Sequence, residues 1–406
     1  MPKLLVVKYG GSVLNSGTAI RRAAEAVREE LGRGSRMVIV VSAMKGVTDQ
    51  LLSAAGEISP DTPREVVDHI IGLGEEQSVR LMASALKSMG VDAVEVTPHT
   101  PSWPIVTDGN YGDAEPILEE CESRTELGVK PLIERGQVPV VCGFVGRSLD
   151  GSVTTLGRGG SDTTATLLAR CLGADEMVLV KDVGGIYSAD PRKVKGARPL
   201  VEMSAWEANL LASSGAKVLH SKVFRYKPDG LRIRLVSYEQ SLNGSGTVVS
   251  GTIPELEVEI HDERVAKLTL VGEIASDPEG LAGVSKLIVE SGGMVLSLKG
   301  MRDASTMFVT GALDDVLNGV HPLVVSTESI KAVSGTGGLA LVRVRGRTLD
   351  DAAASVHTIG KALSSTGVIL RDLVVGESSV DAFVDWEKRF EAKKVIEERF
   401  RRNRDE

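Results

Sequence analysis

Leu4-Leu5-Val6-Val7-Lys8-Tyr9-Gly10-Gly11-Ser12 is a short apolar run that ends in a lysine and two glycines. Four consecutive apolar residues without alternation are expected of a strand covered on both faces, as in a parallel sheet between helices. Runs of the same kind recur at 37–41, 138–144, 177–180 and 233–236. Amphipathic stretches lie between them. Residues 18–31 place Ile20, Ala23, Ala24, Val27 and Leu31 on one helical face, and 163–172 form a helix of small and apolar residues. This strand–helix alternation predicts an α/β fold with a mostly parallel central sheet between helices. It continues to about residue 240, where Gly244-Ser245-Gly246-Thr247 marks a turn into a closing hairpin. A domain boundary is expected near residue 260.

Beyond it the pattern changes. Strand 265–272, helix 278–291, strands 293–299 and 305–313 and helix 314–324 are followed by strand 339–346, helix 350–366, strands 368–375 and 379–385 and helix 387–400. A β-α-β-β-α unit that occurs twice predicts two ferredoxin-like α+β modules. The expected division is therefore 1–260, 261–336 and 337–406.

Composition excludes several classes. None of the 406 residues falls in an apolar run long enough to span a membrane, and the first apolar stretch is too short for a signal peptide. Cys121, Cys142 and Cys171 form neither a disulfide framework nor a metal-ligand spacing, so a reducing, cytoplasmic setting is expected. With 47 basic against 55 acidic residues and only five Tyr, six Phe and three Trp, the chain lacks material for nucleic-acid binding. Basic residues from Lys393 to Arg404 alternate with Glu397 and Glu398 and read as a solvated helix end. The 44 glycines stand out against a typical share of roughly 7%. Many follow the apolar runs, where α/β proteins place ligand loops.

Three clusters carry chemistry. Gly10-Gly11 lets backbone amides turn toward an anion as the first strand enters a helix, and Lys8 brings a point charge suited to a phosphoryl group. A lysine before Gly-Gly is equally what an ordinary strand end looks like, and no Walker A pattern occurs. The second cluster is Thr154-Thr155-Leu156-Gly157-Arg158-Gly159-Gly160-Ser161-Asp162-Thr163-Thr164-Ala165. Its arginine is a fork able to grip a carboxylate, its glycines permit close backbone approach, and Ser161-Asp162 are placed to cap the next helix. The third runs from Lys181-Asp182 through Gly184-Gly185, Tyr187 and Arg192. It offers an aromatic ring for a base and a cation for phosphate, or reads as a plain surface turn.

Together these clusters resemble the aspartokinase branch of the amino-acid kinase superfamily. The matching stretches are KYGGS at 8–12, VSAMKGVTD at 41–49, GE at 74–75, TD at 107–108, GFVG at 143–146, TTLGRGGSDTTA at 154–165, KDVGGIYSADPR at 181–192 and GAKVLH at 215–220. The resemblance implies the amino-acid kinase fold followed by two ACT modules, and ATP-dependent phosphorylation of the side-chain carboxylate of L-aspartate. It implies that Lys8 stabilises the phosphoryl group in flight and that Asp162 orients that lysine. Ser42, Thr48, Glu75, Arg158, Gly159, Gly160 and Ser161 would hold aspartate. ATP would lie against Lys8, Gly10, Gly11, Ser12, Lys181, Asp182, Tyr187, Arg192, Lys217 and Val218. Mg²⁺ would ride on the ATP phosphates, with no protein metal site. Homo-oligomers formed through the ACT modules are implied too.

Some positions depart from the family pattern. Glu76 stands where many members carry a different, often basic residue, Lys45 replaces a small one, Lys181 a threonine and Ser221 a proline. Glu76 and Lys45 bear on which amino acid is the substrate. In the first ACT-like module Asp277-Pro278-Glu279-Gly280 resembles the family's effector loop, whereas the second has Thr348-Leu349-Asp350-Asp351 there. The first is thus the better candidate for an amino-acid effector. The competing expectations are a superfamily kinase for another small carboxylate, or a catalytically silent amino-acid sensor. A silent chain is expected to lose Lys8, Arg158 or Asp162, and all three are present.

Overall fold

The apolar runs become strands because each is shielded on both faces. A computed structural model describes the chain apart from Met1, Lys217, Ala275, Ser276, Thr348, Asp350, Asp351 and Glu406, and the side chains of residues 403–405. It divides into two units, Met1–Ile253 and Pro254–Glu406. The first contains β1 (Leu4–Tyr9), β2 (Arg36–Val41), β3 (Ala93–Val96), β4 (Val106–Thr107), β5 (Val138–Cys142), β6 (Val145–Ser148), β7 (Val153–Thr155), β8 (Glu176–Lys181), β9 (Glu202–Ser204), β10 (Arg232–Ser237) and β11 (Gly246–Ser250). Its helices are α1 (Gly17–Gly32), α2 (Val47–Ile58), α3 (Arg64–Ser88), α4 (Leu118–Arg124), α5 (Lys130–Glu134), α6 (Gly160–Cys171), α7 (Ala205–Ser213) and α8 (Lys222–Tyr226).

The central sheet runs β3-β5-β2-β1-β8-β10-β11-β9, parallel throughout except between β10 and β11. β1 lies buried in its middle, between β2 and β8. The order reverses direction around β1, so the crevice for a ligand is expected at the carboxyl ends of these strands. The run at 138–144 is not one strand. β5 stops at Cys142, and Phe144, at φ 69°, turns the chain into β6 of a small second sheet, β4-β6-β7.

The second unit contains β12 (Glu257–Ile260), β13 (Val265–Val271), α9 (Pro278–Glu290), β14 (Val295–Gly300), β15 (Ala304–Val309), α10 (Leu313–Ser326), β16 (Ala332–Arg345), α11 (Ala352–Ser364), β17 (Leu370–Val375), β18 (Ser379–Asp385) and α12 (Arg389–Asp405). Its sheet runs β14-β15-β13-β16-β18-β17, with β12 added on β16. Two features differ from the sequence pattern. The glycines at 335–338 form part of a strand, because β16 pairs with β13 from Ala332 onward. Leu313 lies close over the first of them: a Cβ on Gly335 would sit 2.5 Å from Leu313 Cδ1, so that side chain would have to shift. The boundary expected at 260 lies at 253/254, because β12 belongs with the second unit. It pairs antiparallel with the second half of β16 from Glu257↔Arg345 to Ile260↔Val342.

Each half of this sheet follows the antiparallel 4-1-3-2 order of a ferredoxin-like module, the first half of β16 closing one and β12 the other. A cut at 336/337 therefore falls inside a strand. The sheet also folds back on itself, since Lys299 on β14 pairs with Asp372 on β17, at the opposite end of the strand order. Between the two halves Phe308 stacks on Phe383 with centroids 3.6 Å apart. The second effector-loop candidate falls largely outside the described residues, at Thr348, Asp350 and Asp351.

Candidate active site

Three elements converge where the carboxyl ends of β1 and β8 meet the first turn of α6. β1 ends in Lys8-Tyr9 and β8 in Lys181, and the two run side by side in parallel with Lys8 opposite Leu179. Lys8 Nζ lies 2.6 Å from Asp162 Oδ1, and Lys181 Nζ donates to Asp162 Oδ2 at 2.9 Å. Asp162 is therefore held from both sides by ammonium groups, and both it and Lys8 are only 6% exposed. Burial alone would push the Asp162 carboxyl up, but Lys181 and Lys8 together hold it well below the usual carboxylate range. Burial pulls Lys8 below the ordinary lysine value, against the charge of Asp162. The result is a buried ammonium whose charge depends on its neighbour and which would gain further from an incoming anion.

The loop after β1 passes directly over this pair. A Cβ on Gly10 would lie 3.4 Å from Lys8 Nζ, so the ammonium rests against that backbone. A Cβ on Gly11 would meet Ala43 O at 2.6 Å, and only glycine lets the loop pass the end of β2 this closely. The chain does not enter a helix here. Val13 and Leu14 donate to Gly10 O in a turn, and α1 begins only at Gly17, capped by Ser16. Any anion cradle at this point is made of turn amides and Lys8, without the end of a helix.

A cleft of about 410 Å³ opens in front of the pair, lined by Lys8, Thr48, Glu75, Phe144 and the segment from Gly157 to Asp162. Thr48 comes from the first turn of α2, and Glu75 from the middle of α3. Glu75 is 3% exposed; its Oε1 accepts from Ala43 N at 3.1 Å, while Oε2 has no hydrogen-bond partner among the described residues. Burial pushes its carboxyl up to about 7, with the Ala43 hydrogen bond opposing. Arg158 is exposed on the rim. Ser161 and Asp162 were expected to cap α6, but the helix starts at Gly160. The cap position is Gly159, which has no side chain to offer, so Ser161 and Asp162 occupy the first turn itself. The helix thus points an uncapped, positive end at the cleft.

Other residues expected in the site lie outside this lining. Ser42 follows β2 and donates its backbone N–H to Tyr9 O. Asp182 pairs with Arg192 at 2.5 Å on the exposed loop after β8. Tyr187 bridges to Pro199, and Val218 packs against the core. Lys217 falls outside the described residues. Glu76, adjacent to Glu75, turns away and pairs with Arg80 at 2.9 Å and with His99 Nε2 at 3.1 Å. Among the described residues no group of three or more His, Cys, Asp or Glu is arranged to hold a metal, and no helix is long and apolar enough to cross a membrane. Phe144 went unnoticed as a lining residue: GFVG marks it in the sequence, but only its backbone turn brings the ring to Gly160.

Comparison with known proteins identifies the family and the fold. The model of the amino acid kinase family matches residues 3–237. An aspartokinase of Mycolicibacterium smegmatis is 37% identical over 298 residues, covering 71% of this chain and 68% of its own length. The structure of aspartate kinase from Synechocystis superposes with a TM-score of 0.72 at 25% identity, covering 98% of this chain and 69% of that one. Aspartokinase III of E. coli, solved with aspartate and ADP, shares the fold at a TM-score of 0.56 and 24% identity, covering 97% of this chain and 98% of that one.

Proposed function

Since the chain belongs to the amino acid kinase family, and within it to the aspartokinases, we propose that it transfers the γ-phosphoryl group of ATP to the side-chain carboxylate of L-aspartate. The products are 4-phospho-L-aspartate and ADP, the first step toward the lysine, threonine and methionine group of amino acids. The observation that carries this reading is Asp162, clamped between Lys8 and Lys181 at the head of α6 and facing a cleft with Glu75 among its walls.

A carboxylate is ionised near neutral pH, so the reaction needs no general base. A carboxylate oxygen of aspartate forms the new bond to the γ-phosphorus, the bond from that phosphorus to the bridging oxygen breaks, and ADP leaves with the electron pair. The barrier is repulsion between two anions, and positioning with fixed positive charge lowers it. Lys8 supplies that charge, and Asp162 and Lys181 fix where it stands. The amides of Gly10-Gly11-Ser12 receive phosphate oxygens, and the segment from Lys181 to Arg192 with Val218 flanks the nucleotide. Arg158 grips a carboxylate of aspartate as a fork, and Glu75 faces its ammonium group.

Mg²⁺ fits as a companion of ATP. It keeps several waters and needs only one or two carboxylates besides phosphates, and Asp162 is already taken by two lysines. Bound on the phosphates it would neutralise the β and γ oxygens. The reading extends to an amino-acid effector near the start of α9, where Asp277 caps Gly280, and to chains that associate through the edge strands of the second unit.

ADP release measured against a panel of amino acids, with hydroxamate trapping of the acyl phosphate, tests the proposal. Turnover with aspartate is expected. Turnover with glutamate and none with aspartate would overturn it. Repeating the assay with lysine, threonine or methionine present tests the effector, and light scattering at micromolar concentration tests association.

A further inference from the structure

We infer that Asp68 is a positioning residue for the carboxylate-binding side of the cleft, an inference that rests on the aspartokinase reading above. Asp68 lies on α3 two turns before Glu75, on the same face of the helix. It is 2% exposed and is not itself one of the residues lining the cleft. Its Oδ2 accepts from Thr155 N and from Gly112 N, both at 2.8 Å, and its Oδ1 accepts from Thr155 Oγ1 at 3.0 Å. One carboxylate thus ties three separate pieces of chain together: the helix that carries Glu75, the end of β7 just before Gly157-Arg158, and the turn at 108–113.

All three partners are donors, and a carboxylate is the group that satisfies three donors at once. Burial pushes the Asp68 carboxyl up, against the hydrogen bonds from Gly112 and Thr155. Those hydrogen bonds offset the cost of burying the carboxylate, and they fix the segment that it holds. Thr155 is followed at once by Leu156, Gly157 and Arg158, and Leu156 O in turn accepts from Lys222 Nζ at 3.0 Å, while the same ammonium pairs with Asp113 of the turn. Arg158 is exposed and flanked by glycines on both sides. Its fork can meet a carboxylate in one place only if the backbone below it is fixed, and Asp68 fixes it from the core side.

The test compares Asp68→Ala, Thr155→Val and Thr155→Ser with wild type. An alanine removes the acceptor of all three hydrogen bonds, Thr155→Val removes one donor and keeps the shape, and Thr155→Ser keeps that donor. We expect Asp68→Ala to raise KM for aspartate at least tenfold, with KM for ATP within twofold and kcat within about threefold. Thr155→Val should raise KM for aspartate severalfold, and Thr155→Ser should stay within twofold of wild type. Hydrogen exchange of Asp68→Ala should quicken at 108–113 and 153–160 and be unchanged in the peptides of β1 and β8. Unchanged KM for aspartate, equal rises in both KM values, or no quickening of exchange at those segments overturns the inference. Absence of aspartate turnover in wild type overturns the parent reading instead, and the exchange measurement still decides whether Asp68 fixes the Arg158 segment.

Discussion

The molecule contains the same ionic arrangement twice, in two different settings. In the first unit Asp162 lies between Lys8 and Lys181; in the second Asp372 lies between Lys267, at 2.7 Å, and Lys299. Burial opposes ionisation of both aspartates, and in both the paired lysines win and hold the carboxyl low. The surroundings differ. The side chains of Lys267 and Lys299 are 33% and 34% exposed, against 7% for Lys8 and 17% for Lys181. Asp372 bridges strands at the two ends of a folded sheet, beside side chains that fill the space between its halves. Asp162 faces an open cleft bordered by a glycine turn. Charge that closes a gap between strands is structural; charge aimed at empty space has affinity left for a ligand.

The largest effect is expected at Lys8. Lys8→Ala removes the one buried cation beside the glycine turn and leaves Asp162 its contact with Lys181. Turnover should drop on the order of 10³-fold, the scale of losing a transition-state charge contact, with the melting temperature within a few degrees of wild type. Turnover within tenfold of wild type would remove the functional half of the comparison. Asp162→Asn should cost about 10²-fold and also change the pH profile. Burial already depresses Lys8, and only Asp162 and Glu75 raise it. Without the aspartate the ammonium deprotonates at lower pH, so activity is lost earlier as pH rises. An alkaline limb that stays in place would show that Asp162 does not set the charge of Lys8.

Glu75 gives a smaller, graded effect. Its carboxyl is pushed up to about 7 by burial, so it becomes protonated as pH falls through neutrality. If its charge meets the ammonium group of aspartate, kcat/KM for aspartate should fall about tenfold per pH unit below 7, since that ratio reports groups of the free enzyme. Glu75→Gln should flatten the acid limb. The stability sign runs the other way. A raised carboxyl favours the folded state at low pH, and that advantage is lost as pH rises from the unfolded value through about 7. Glu75→Gln should therefore melt above wild type at pH 8, with the gap closing toward pH 4.5. A gap that widens in acid would contradict the buried geometry in which only one of the two carboxylate oxygens is hydrogen-bonded.

Much of this was legible in the residue order, for a physical reason. The runs that became β1, β2, β8 and β10 needed no partner to be recognised, because a strand covered on both faces is apolar throughout. Lys8, Arg158 and Asp162 stood out because glycine and hydroxyl clusters around charge are local patterns. What escaped depends on distant residues. Asp68 reads as one more polar helix residue until Thr155 folds onto it. β12 lay on the wrong side of the expected boundary because its partner is on distant β16, and β16 starts earlier than the expected strand at 339 because its glycine-rich first half pairs with β13. The turn at Phe144 is a backbone conformation that residue type alone does not announce.

The structural copy of the triad should respond in stability. Asp372→Ala leaves two partly exposed lysines near each other on the same half of the folded sheet, without the carboxylate they share. With solvent screening, we expect a loss of about 1–2 kcal/mol and a fall of roughly 2–6 °C in the melting of the second unit. The fall should shrink in high salt, because repulsion between the two lysines is screened. A loss above about 4 kcal/mol would place Asp372 in the same buried class as Asp162 and erase the distinction.

The smallest effect is expected at Glu76, one of the two positions whose departure from the family pattern bears on the substrate. Its carboxylate is buried like that of Glu75, but one step along α3 carries it to a neighbouring face of the helix, where Arg80 and His99 take it up. Both partners are more than half exposed, so the charge is met by solvent-screened groups. Glu76→Gln should leave KM for aspartate and for ATP within twofold and should not open turnover with glutamate. Paired steady-state measurements with the two amino acids check this. A tenfold change would mean that charge on the far side of α3 reaches the substrate. The jobs of the two lysine–aspartate triads could then no longer be assigned from what each one faces.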